Sequence, residues 1–122
     1  WKSLVRAVVE SVAYQSYDLF NSMKKDGLKP RIIKVDGGMV SNNWFSQFLS
    51  DIINLNVVRP RVLETTALGV AFFAGYQVGE FKSLNEIKHI WKKDRVFSPK
   101  LNKSLRNNLL QGWKVAIRKT LA

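Results

Sequence analysis

Cysteine is absent from the 122-residue sequence. That excludes disulfides and thiolate metal sites, and it fits the reducing cytoplasm expected for this chain. No stretch approaches the about 20 apolar residues needed to span a bilayer, and no signal-peptide pattern is present. No membrane partner is therefore expected. Histidine occurs once, as His89, and neither a catalytic pair nor a metal site is expected of it. An initiator Met is also missing. The chain opens on Trp1, as expected of a piece cut from something longer. Its 46% hydrophobic and 11% aromatic content nonetheless places it among globular chains, with length enough for one modest core.

Acidic residues are few: nine Asp and Glu stand against 20 Lys and Arg, for a formal charge of +11. The imbalance is concentrated late. Residues 1–81 carry nine basic and seven acidic groups, whereas residues 82–122 carry eleven basic groups against Glu86 and Asp94 alone. A basic segment of this kind suits phosphate-rich partners. No nucleic-acid motif accompanies it, so a solvated basic face is the preferred reading and no nucleic-acid partner is expected.

Periodicity divides the chain into helices and two short strands. Leu4, Val5, Val8, Val9, Val12, Tyr14, Leu19, Phe20 and Met23 predict an amphipathic helix over residues 2–25, stopped by Asp26-Gly27 with Pro30 beyond. Residues 31–36 read as a strand whose Ile32, Ile33 and Val35 suggest burial on both faces of a parallel sheet. A helix is expected from about Trp44 to Ile53, and residues 56–59 form a second strand stopped by Pro60. Strand, helix and strand make a right-handed βαβ unit.

The following helix, from Thr65 or Thr66 to about Val78, carries Ala67, Gly69, Ala71, Ala74 and Gly75. Each glycine costs about 1 kcal/mol against Ala in an exposed helix, so small residues at this density point to close packing. Ser83 to Glu86 is a capping box opening a short helix to about Trp91. Residues 96–99 are expected as an extended loop, and a last amphipathic helix covers 103–121. Trp1, Trp44, Trp91 and Trp113 are read as packing residues in preference to base-stacking platforms.

The most informative stretch is Val35-Asp36-Gly37-Gly38, followed by Ser41-Asn42-Asn43. A strand ending in an acid and a glycine pair lets the backbone approach a bound group closely. The helix that follows turns its first N–H groups toward the same point. Open α/β sheets bind ligands at this end of their parallel strands. Asn42 has two compatible roles, helix capping and donor–acceptor contact with a nucleotide. Asp36, Asp51 and Glu64 are candidate carboxylates for acid–base work, but their spacing does not force them together.

These words, with Gln47-Phe48, Ser50-Asp51-Ile52, Val58-Arg59-Pro60, Glu64 to Ala71, Ala74-Gly75 and Val78-Gly79, resemble the glycerol kinases of the FGGY carbohydrate kinase family. That family lies within the actin-like ATPase superfamily. Arg6 to Gln15 and Gln111 to Ile117 extend the likeness over nearly the whole chain. The resemblance implies an α/β fold, a partial ribonuclease H-like C-terminal lobe with two parallel strands in a βαβ unit and flanking helices. It implies ATP-dependent, Mg²⁺-assisted phosphorylation of glycerol to glycerol 3-phosphate, with Gly37, Gly38 and Asn42 contacting ATP or ADP. Residues 1–81 would then be the nucleotide-side part of the domain and 82–122 its basic helical extension.

The resemblance also marks what is missing. Phosphate-binding loop, glycerol site, metal ligands and catalytic aspartate all belong to upstream parts of such enzymes. No catalytic or metal-binding residue is therefore expected here, and the fragment alone is expected to be inactive. Its expected partner is the missing N-terminal part of the kinase, and family members also form homo-oligomers. The alternative is a non-catalytic remnant or basic interaction module from a split or degraded kinase gene.

Overall fold

The computed structural model describes residues 1–90 and 92–121. Trp91, expected to end a helix and to pack, lies outside them. Helix α1 spans Lys2–Lys25 and stops as its sequence dictates, with Asp26 as C-cap and Gly27 at φ 91°. Strand β1 (Ile32–Lys34), a 3₁₀ turn (Gly38–Ser41), helix α2 (Asn43–Ile53) and strand β2 (Asn56–Pro60) then form the βαβ unit. β1 and β2 run parallel, Ile33 opposite Val57.

Helices α3 (Thr65–Gln77) and α4 (Leu84–Ile90) follow. In the α4 capping box the Ser83 hydroxyl accepts from Glu86 N at 3.3 Å, and the Glu86 carboxylate accepts from Lys82 N at 2.8 Å. A third strand, β3 (Lys93–Phe97), then pairs antiparallel with β2, and helix α5 (Lys103–Leu121) closes the chain.

β3 corrects the expectation of two strands and of a loop at 96–99. The sheet is mixed, in order β1-β2-β3. Residues 82–122 accordingly hold a strand of the sheet as well as helices. β3 escapes a periodicity reading because only Phe97 of its five residues is buried; Lys93, Asp94 and Arg95 are edge charges that discourage further strand pairing. Pro60 does not stop β2 short but is its last residue, where the β2–β3 register slips. Proline has no N–H for a ladder, so a strand end or bulge is where it fits.

The core lies on one face of the sheet. Ala13 and Tyr14 of α1, Phe45, Leu49, Ile52 and Ile53 of α2, and Leu110 of α5 pack with Val40, Val57 and Phe97. Burial of a residue such as Ile52 contributes about 1.5–3 kcal/mol. Two-face burial belongs to central β2, where Val57 is 0% and Val58 4% exposed. In β1 it fails: Ile33 packs on the core while Ile32 is 50% exposed. The alternate face, to which Lys34 belongs, borders a cleft of about 640 Å³ shared with Thr65, Leu68 and Phe72 of α3 and Ile87 of α4.

Polar groups inside this core are paired. Ser50 Oγ lies 2.8 Å from the carbonyl oxygen of Leu55 and 2.9 Å from that of Phe97. Ser46 Oγ donates to Val40 O at 2.9 Å. Aromatic rings link the three helices: Trp44 stacks on Phe48 at 5.1 Å, Phe48 meets Tyr14 edge-on, and Tyr14 stacks on Trp113 at 5.4 Å. Trp113 also donates through Nε1 to Asp18 at 2.7 Å. Trp1, in contrast, is 97% exposed and is no packing residue among the described contacts.

Candidate functional site

β1 ends at the turn Asp36-Gly37-Gly38, and the structure shows what holds that turn. Val35 N donates to Val58 O of β2, and Gly37 N donates to Leu63 O, both at 3.1 Å. The Thr65 hydroxyl hydrogen-bonds the Asp36 carboxylate. Gly37 takes φ 88° and ψ 171°, a conformation open in practice to glycine alone. Gly38 is exposed and begins the 3₁₀ turn, and a Cβ built on it meets nothing within 4 Å. Backbone there is open to close approach.

Asn42 follows as the N-cap of α2. Its Oδ1 accepts from Trp44 N at 2.9 Å and Phe45 N at 3.3 Å, and its carbonyl accepts from Ser46 N at 3.1 Å. This modifies one expectation. The first amides of α2 do not wait free for an anion, because Asn42 already accepts from two of them. What remains at this point is the Asn42 amide nitrogen, which donates to no described residue.

Asn42 opens onto a cleft of about 460 Å³ lined also by Trp44 and by Val5, Arg6 and Val9 of α1. Trp44 is 44% exposed there, and the Arg6 guanidinium sits 5.6 Å from its ring centroid. Arg6 also pairs with Glu10 at 2.6 Å. An amide, a cation and a half-exposed aromatic ring therefore share one recess. Trp44 thus combines packing on Phe48 with a surface that the sequence reading did not assign.

The candidate carboxylates Asp36 and Asp51 are engaged by different partners. Asp51 is buried and structural, accepting from Lys100 N at 2.6 Å, Leu101 N at 3.2 Å and Gln47 Nε2 at 3.1 Å. Asp36 is engaged at the turn, and Glu64 is the exposed N-cap of α3. Among the described residues no three His, Asp or Glu side chains group to hold a metal ion. His89 is exposed and lines the α3–α4 cleft with Lys34 and Lys88.

Sequence reasoning missed Arg59 as a functional candidate. Its side chain, only 12% exposed, donates from Nη1 to Val40 O at 2.9 Å and to Ser41 O and Asn43 Oδ1 at 3.0 Å. Nε and Nη2 donate to Asp94 Oδ2 of β3 at 2.8 and 2.6 Å. The signal was an arginine directly after the apolar pair Val57-Val58.

Small residues on α3 have a partial explanation. A Cβ on Gly75 would lie 2.6 Å from Phe81 Cε2, so this glycine admits the Phe81 ring. A Cβ on Gly69 meets nothing within 4 Å. Val70 and Phe73 on the same helix are 66% and 69% exposed.

Comparison with known proteins places these features. The model of the C-terminal domain of the FGGY family of carbohydrate kinases matches residues 1–78. The glycerol kinase of Gluconobacter oxydans is 50% identical over 119 residues, which are 97% of this chain and 23% of that protein. The glycerol kinase of Alteromonas mediterranea is 49% identical over 114 residues, covering 93% of this chain and 23% of its own length.

Among solved structures, Plasmodium falciparum glycerol kinase with ADP superposes at a TM-score of 0.80 with 35% identity, over 97% of this chain and 24% of that one. A ligand-bound xylulose kinase from Lactobacillus acidophilus gives 0.76 at 25% identity, with the same coverage. The chain therefore spans about a quarter of the length of the relatives it matches. On the matched family domain, the high identity to glycerol kinases and the shared α/β fold of sugar kinases, the chain belongs to the FGGY family of carbohydrate kinases, of whose C-terminal domain it is a representative.

Proposed function

We propose that this chain supplies the adenine-nucleotide wall of a glycerol kinase, in which ATP phosphorylates glycerol to glycerol 3-phosphate. Gly37 and Gly38 offer open backbone toward the phosphate–ribose side, and Asn42 contacts the nucleotide through its amide nitrogen. The observation that carries this reading is the division of labour at Asn42. Oδ1 is committed to α2, which fixes the side chain, and the remaining donor faces no described partner. The recess beside it, with Trp44 and Arg6, has the flat aromatic and cationic character that suits a base and its ribose.

The glycerol site, the Mg²⁺ ligands and the catalytic carboxylate are assigned to the upstream part of the kinase. Phosphoryl transfer depends on all of them being positioned together, so the chain alone is inactive in this account. Residues 1–81 form the nucleotide side of the domain; residues 82–122 are a basic extension that also completes the sheet through β3. The working compartment is the cytoplasm.

The test is direct. In a full-length glycerol kinase carrying this chain as its C-terminal segment, Asn42→Leu should raise the ATP KM about tenfold and leave the glycerol KM within about twofold. An unchanged ATP KM in the folded variant would remove the nucleotide assignment.

A further inference from the structure

Arg59 touches both chain neighbours of Asn42 and not Asn42 itself. Its Nη1 binds the carbonyls of Val40 and Ser41 just before Asn42, and the side-chain oxygen of Asn43 just after it. Three acceptors on one nitrogen fix the 3₁₀ turn and the first residue of α2 against the end of β2. The rest of the guanidinium is held by Asp94, and its Cζ lies 5.4 Å from the Phe97 ring centroid. Phe97 and Asp94 both belong to β3.

We propose that Arg59, braced by Asp94, is a positioning residue for the nucleotide site. Through this pair the basic C-terminal segment governs the placement of Asn42. The inference rests on the nucleotide reading given above. It assigns to β3 a role in that site which neither the Asp36-Gly37-Gly38 turn nor the family match supplies.

The chemistry favours arginine specifically. A planar, permanently charged fork can serve carbonyls on one edge and a carboxylate on the other at the same time, while a lysine ammonium is a single point. Asp94 is 43% exposed and forms a charge-assisted contact at 2.6 Å, so removing it leaves the strand intact while freeing the guanidinium to drift. Drift of a few tenths of an ångström at Val40 and Ser41 is passed to the side chain that caps α2 and faces the recess. Misplacement of a binding group by such amounts weakens binding without loss of fold.

The experiment uses the same full-length kinase carrying this chain. Arg59→Ala is expected to raise the ATP KM about tenfold and Asp94→Asn about threefold, with the glycerol KM within about twofold in both. Arg59→Lys should fall between wild type and Arg59→Ala. Arg95→Ala, which removes a neighbouring β3 charge, should leave the ATP KM unchanged. If Arg59→Ala does not fold, Asp94→Asn decides the matter alone. A lowered melting temperature with an unchanged ATP KM in folded Asp94→Asn would overturn the proposal, since a purely structural ion pair would give that result. Asn42→Leu in the same background separates the two ideas. If it raises the ATP KM while Asp94→Asn does not, the nucleotide reading stands and the bracing role fails. If it has no effect, the nucleotide reading itself fails.

Discussion

At Asn42 and Gly37, local backbone chemistry and the proposed ligand contact depend on the same atoms. Asn42→Ala removes an N-cap that accepts two amides and should cost about 1 kcal/mol of stability in urea unfolding. Gly37→Ala tests the backbone alone, because an added Cβ meets nothing within 4 Å yet φ stays at 88°. Its cost should be about 1–3 kcal/mol, read as a lower urea midpoint at unchanged slope. Both residues were legible in the sequence, since strand–Gly-Gly–Asn is a local arrangement with a local cause. Arg59 was not. Its partners lie 16 to 35 residues away, and only the fold brings Val40, Asn43 and Asp94 around one guanidinium.

Helix α3 shows what sequence can and cannot say about an element. Its small-residue composition pointed to close packing, and Gly75 against Phe81 bears that out. Gly69 faces open space in this chain, so Gly69→Ala should stabilise the isolated chain by about 0.5–1 kcal/mol. Gly75→Ala should not, because the Phe81 ring must move. Thermal unfolding of the two variants side by side checks the contrast. β3 was illegible for the opposite reason: one buried residue in five carries no period. The parallel strands were read correctly as elements, but the two-face burial expected of β1 belongs to β2, because adjacent β-branched residues do not reveal which strand is central.

Helix α1 carries a pH dependence. Burial raises the Tyr14 phenol above its usual 10.0, helped by Glu10 and opposed by Arg6. The native state therefore favours the neutral phenol. Its contribution is fully present below about pH 10 and is lost as pH rises through the elevated value. Urea midpoints between about pH 8 and pH 11 should fall at the alkaline end, and Tyr14→Phe should flatten that fall.

For the molecule as a whole, the large open surfaces matter most. Ile32, Val70, Phe73 and Val78 are 50% to 80% exposed, as are Leu4, Val5 and Val8 at the start of α1. β1 is an edge of the sheet, with β2 on one side only. A face of this kind favours association in a chain studied by itself, so sedimentation should show self-associated species that diminish at low concentration. Surfaces of this kind suit burial by further protein, and in the matched relatives about three quarters of the length lies outside the matched region. No helix among the described residues is long and apolar enough to cross a membrane.

The central claim, that this chain forms the nucleotide wall of a two-part catalytic unit, is tested most directly by ADP titration calorimetry on the chain combined with the complementing N-terminal part of a glycerol kinase. The account predicts saturable 1:1 binding to the combined protein that weakens about tenfold in Asn42→Leu. Binding of the same strength in Asn42→Leu, or to the N-terminal part alone, would contradict it.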